Sequence, residues 1–82
     1  MTRQEAIICI DKEELKGYNF FENRYNKENE LVIREEGGQW YVYATDERAS
    51  KVTGSEKMFE SEAEALENLI KRLRADKVLR NL

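Results

Sequence analysis

The dipeptide Gly37-Gly38 lies between two runs of strand-forming residues, LVIREE and QWYVYA, and dictates how they can pair. A two-residue hairpin loop needs positive φ at its centre, which glycine adopts without steric cost. With that loop Glu36 faces Gln39, Ile33 faces Val42 and Leu31 faces Ala44. Side chains alternate along a strand, so Leu31, Ile33, Trp40, Val42 and Ala44 share one face. That face suits a core, and burial of Trp40 contributes about 2–3 kcal/mol to it. The opposite face holds Val32, Arg34, Tyr41, Tyr43 and Thr45. A second set of aromatics is left to be explained.

The flanking segments supply the rest of a small domain. TRQE at Thr2–Glu5 fits a capping box and opens a helix from about Arg3 to Lys16, with Gly17 as its left-handed cap. A strand through Ala6–Ile10 is the competing reading, because three isoleucines favour β structure. Tyr18–Tyr25 reads as a first strand, Lys27–Asn29 as a turn and Glu30–Glu36 as the strand entering the hairpin. Asp46–Glu56 is a polar loop, and Lys57–Phe59 makes a short last strand. Ser61 and Glu64 repeat the capping pattern ahead of an apolar stripe at Ala63, Leu66, Leu69, Ile70 and Leu73. After Leu73 the stripe shifts to Ala75, Val78, Leu79 and Leu82, a second strip that folds back, frays or meets another chain. The expectation is an α+β domain spanning residues 1–82. It has a small antiparallel sheet of three to four strands with two helices on one face, in the order α-β-β-β-α.

Composition narrows the chemistry. With 82 residues there is room for one domain, and 38% charged against 40% hydrophobic residues argues for a folded unit with a dense charged surface. The longest apolar run, Ala6–Ile10, is too short for a membrane span or a secretory leader. A single cysteine, Cys9, cannot form an internal disulfide and fits a reducing cytosol, so a cytoplasmic location is expected. Without any histidine, the usual nucleophile–base pairs lose their base, and no enzymatic activity is expected. Glu28, Glu30, Asp46 and Glu47 cluster in the hairpin register but lack the spacing of a calcium loop. No metal, cofactor or small-molecule substrate is therefore expected.

The net charge of −3 is unevenly distributed. Residues 71–82 carry five bases and one acid, +4, leaving −7 on the first seventy residues. Double-stranded-RNA-binding domains share the α-β-β-β-α order but present lysines at the start of their last helix. Here that start is ESEAE, which repels phosphate, so no nucleic-acid partner is expected.

The second hairpin face then becomes the candidate site. Tyrosine pairs well across strands and tolerates half-exposure, which alone would explain Tyr41 and Tyr43. Tyrosine is also enriched in protein interfaces, and this pair is flanked by Arg34, Glu35, Glu36, Asp46 and Glu47. An acid-rimmed tyrosine patch suits a basic protein partner.

Three segments, "TRQEAI", "GGQWYVYATDERAS" and "FESEAEALENLIKRLR", together resemble bacterial polymorphic-toxin immunity proteins, in particular the family called immunity protein 59. The resemblance implies a small cytoplasmic protein that binds a cognate toxin and blocks it without covalent chemistry. It carries over no catalytic residues. The alternative is a cytosolic adaptor or regulatory domain that binds another protein. A monomer is expected, with the C-terminal strip as the seam of any homodimer.

Overall fold

A computed structural model describing residues 1–82 contains two helices and four strands. In chain order they are α1 (Arg3–Lys12), β1 (Tyr18–Phe20), β2 (Leu31–Glu36), β3 (Gln39–Ala44), β4 (Lys57–Phe59) and α2 (Glu62–Arg80). The architecture is α+β, with the helices packed against one sheet whose strands lie in the order β1-β2-β3-β4. The β2–β3 register pairs Glu36 with Gln39, Ile33 with Val42 and Leu31 with Ala44, as the Gly37-Gly38 turn requires. Both glycines have positive φ, +59° and +80°.

The inward face of the sheet builds the core. Leu31, Ile33 and Val42 pack with Ala6, Ile10 and Leu15 from the N-terminal region and with Ala65, Leu66, Leu69, Ile70 and Leu73 from α2. Each of the large aliphatic side chains contributes about 1.5–3 kcal/mol on full burial. Ala65 takes the place expected of Ala63, which stays exposed on the first helical turn. Trp40 is half-buried at the edge of this core, and its indole N–H donates to Glu62 Oε1 at 3.2 Å. The two helices run side by side in the same direction. Arg3 meets Glu62 at their N-terminal ends, and Glu13 meets Arg74 twelve residues further along α2.

The first helix forms, but it stops at Lys12 rather than Lys16. The Thr2–Glu5 capping box opens it, each side chain bonding the other residue's amide. Its end is a Schellman motif: Leu15 N–H donates to Ile10 C=O at 2.9 Å and Glu14 N–H to Asp11 C=O at 3.2 Å. Glu14 takes the left-handed conformation expected of Gly17, with φ +53°. What fixes the stop is the accompanying apolar contact, which carries Leu15 back into the core beside Ile10. Lys77 Nζ further caps the Glu13 carbonyl. So short a helix offers one narrow buried stripe, Ala6 and Ile10, and leaves Ile7 and Ile8 exposed.

The sheet is mixed rather than wholly antiparallel. The strand expected over Tyr18–Tyr25 spans only Tyr18–Phe20, and it pairs parallel to β2, with Asn19 beside Val32. Phe21 breaks it, with φ +59° and its amide turned to Ile33 C=O. A parallel neighbour cannot be reached by a tight turn, because the chain must cross back to the end from which it started. Residues 21–30 make that return. Asn26 from this return bonds Tyr43, Asn19 and Arg34 on the outward sheet face, and Arg24 pairs with Glu30 beside it.

Candidate partner-binding face

The outward face carries Asn19 from β1, Val32, Arg34 and Glu36 from β2, Tyr41 and Tyr43 from β3, and Met58 from β4 opposite Tyr41. Half of it is covered. Asn19 and Val32 are fully buried, and Tyr43 is only 7% exposed. The cover is the 21–30 return, held by a continuous polar network. Asn26 Nδ2 donates to the Tyr43 hydroxyl at 2.8 Å, and Arg34 Nε approaches the same oxygen at 3.4 Å. Asn26 Oδ1 accepts from Asn19 Nδ2 and Arg34 Nη2, both at 3.3 Å, and Asn19 Oδ1 accepts from Glu22 N–H at 2.8 Å.

Glu30 anchors the end of the return. Its carboxylate is 4% exposed and takes both Arg24 Nη atoms, at 3.0 and 3.1 Å, together with Lys27 N–H at 2.7 Å. Burial pushes this carboxyl up, but the guanidinium and the amide outweigh burial and hold it below the ordinary carboxylate value. Thr45 completes the fixture, donating its hydroxyl to Lys27 C=O at 2.7 Å and accepting from Glu30 N–H at 2.9 Å. A buried acid with three donors and a buried threonine thus tie the loop to the sheet.

The candidate residues separate on this geometry. Arg34, Glu36, Tyr41 and Tyr43 surround one shallow depression of about 360 Å³, completed by Lys51 and Glu56 from the 46–56 loop. Tyr43 forms its floor and Tyr41 its half-buried wall. Lys51 sits 4.7 Å from the Tyr43 ring centre and pairs with Glu56 at 2.6 Å, which raises the Lys51 ammonium above its ordinary value. Glu35 is exposed on the helix side of the sheet, in a second depression with Arg3, Phe21 and Asn23. Asp46 lies at the far end of the hairpin and is spent on structure, since its Oδ1 accepts from Arg48 and Ser50 amides at 2.8 and 3.0 Å. Glu47 beside it is exposed.

Sequence reasoning missed Lys51, Glu56, Met58 and Tyr25. The first two arrive through the Thr45–Lys51 bridge, which no residue type in the polar loop announces. Met58 is 53% exposed opposite Tyr41, and Tyr25 is 97% exposed at the crest of the return. The available signal for the return was ENRYNKENE itself, nine residues too long and too polar for a tight turn. The segments that cover or rim this face, residues 21–36 and 46–56, contain five bases and eight acids, a charge of −3, while the remainder of the chain sums to zero. No helix is long and apolar enough to cross a membrane. Comparison with protein-family models, curated proteins and solved structures finds no match to this chain.

Proposed function

We propose that this protein is an immunity protein, neutralising a cognate bacterial toxin by non-covalent association from the cytoplasm. One observation carries the reading. Residues 21–36 and 46–56, which cover or rim the outward sheet face, carry a net charge of −3, and beside them Tyr41, Met58 and Tyr25 are open to solvent. Such a face attracts a basic partner over long range and holds it through a few apolar contacts. A toxin with a basic cleft, as a nuclease needs for phosphate, is the kind of target it fits. The test is co-purification of the tagged chain with the product of the adjacent upstream reading frame. A stable one-to-one complex with a product that is toxic alone supports immunity, and the absence of both removes it.

The adaptor reading keeps one observation in its favour. Val78, Leu79 and Leu82 are 64%, 66% and 95% exposed along the end of α2. Sedimentation across a concentration series tests it: a dimer that Leu79→Lys dissociates favours the adaptor, and a monomer throughout removes the homodimeric version.

A further inference from the structure

Tyr25 stands apart from every other aromatic in the chain. Its side chain is 97% exposed, so it supports nothing in the domain. Yet the residues on both sides of it are bonded to the rest of the domain. Arg24 Nη1 donates to Tyr25 C=O at 3.0 Å while the same guanidinium grips buried Glu30. On the other side Asn26 is bonded to Tyr43, Asn19 and Arg34, and Arg34 Nη2 also reaches Arg24 C=O at 3.3 Å. The fold thus fixes a ten-residue return against a buried sheet face and directs one large, amphipathic, unbonded side chain away from it.

A rigid backbone beneath an exposed tyrosine lowers the entropic cost of inserting that side chain into a pocket, because little remains to be ordered on binding. Tyrosine has few rotatable bonds, buries a large area and carries a hydroxyl for one polar contact, which is why it recurs as a dominant contact at interfaces. The charge around it selects the pocket. The return carries Glu22, Glu28 and Glu30 against Arg24 and Lys27, with Arg24 paired to Glu30 and Glu22, and the 46–56 loop carries Asp46, Glu47 and Glu56 against Arg48 and Lys51; each sums to −1, and exposed Glu36 adds to the same sign.

We propose that Tyr25 is the anchor of the interface, inserting into a basic-rimmed pocket of the protein partner while the acidic outward face lies against the rim. This rests on the reading of the chain as an inhibitor and moves the centre of its interface from Tyr43, which the fold buries, to the crest of the return.

The experiment measures affinity of the purified neighbouring-frame product for the unsubstituted chain, Tyr25→Phe and Tyr25→Ala by calorimetry, with thermal melts of each chain alone. The expected result is a loss of about tenfold or more for Tyr25→Ala, near-retention for Tyr25→Phe and unchanged melting for both. Association is also expected to slow as salt rises from about 50 to 500 mM, because charge steers the encounter. A tight complex with the unsubstituted chain that Tyr25→Ala weakens less than tenfold overturns the anchor and leaves the inhibitor reading standing. A salt-independent association rate overturns the basic pocket. No complex with the unsubstituted chain overturns the inhibitor reading, and the anchor with it.

Discussion

Tyr43 is the residue at which a binding role and a structural role predict opposite behaviour. Its hydroxyl accepts from Asn26 Nδ2 at 2.8 Å and Arg34 Nε at 3.4 Å, and its ring lies under Lys51 with 7% exposure. Tyr43→Phe keeps the ring and strands the Asn26 donor against the sheet. Loss of a buried hydrogen bond costs about 1 kcal/mol net, and somewhat more where the remaining partner cannot reach water. Tyr43→Ala removes the ring as well, at about 3–5 kcal/mol. A domain of this size has a total stability of roughly 4–12 kcal/mol, so the alanine variant is expected to be marginal. Urea denaturation followed by Trp40 fluorescence reads both. With a slope of about 1 kcal/mol/M for a small domain, Tyr43→Phe lowers the midpoint by roughly 1 M with the slope unchanged. A Tyr43→Phe midpoint equal to that of the unsubstituted chain, or a fully stable Tyr43→Ala, would refute the account of the covered face.

Acid sensitivity follows from Glu30. Its folded-state carboxyl lies below the unfolded value, so its stabilisation is complete above the ordinary glutamate range and is lost as pH falls through the lowered folded value. Glu13, lowered first by its bonds to Arg74, and Glu5, lowered by its capping bonds to Thr2, shift in the same direction. Denaturation midpoints at neutral and acidic pH should therefore diverge, and Glu30→Gln should be less stable at neutral pH with a smaller divergence. Gly17→Ala places an L side chain at φ +76° with its Cβ 2.5 Å from Arg80 Nη2, and should cost about 1–2 kcal/mol in the same assay. Tyr41→Ala combined with Met58→Ala should leave most of the stability intact, since neither is buried, while weakening partner binding measured by calorimetry.

The legible parts of this fold are those written in local chemistry. Gly37-Gly38 sets the hairpin register outright, and the Leu66, Leu69, Ile70, Leu73 spacing places α2 on the sheet, because period and turn geometry act over a few residues. The first helix was legible at its start, where Thr2 and Glu5 sit three apart, and not at its end. Leu15's return to the core beats the preference of Gly17 for the left-handed cap, and that contest is decided by tertiary contact. The 21–30 return hid for a related reason. It covers a sheet face with asparagines, an arginine and a glutamate, whose bonding partners Tyr43, Thr45 and Arg34 lie up to eighteen residues away. Hydrophobic patterning has no signal for a surface closed by hydrogen bonds. The candidate site was accordingly half legible: Arg34, Glu36 and Tyr41 do meet on an open face, whereas Tyr43 and Asp46 hold the scaffold together.

The central claim is neutralisation by association alone, and stoichiometry tests it most directly. Residual activity of the neighbouring-frame toxin would be measured while this chain is titrated in at toxin concentrations well above the dissociation constant. The account requires activity to fall linearly and reach its floor at one chain per toxin. Full neutralisation at a small fraction of that ratio would mean that the chain turns over and acts chemically, and activity untouched by excess chain would mean that it is not the inhibitor.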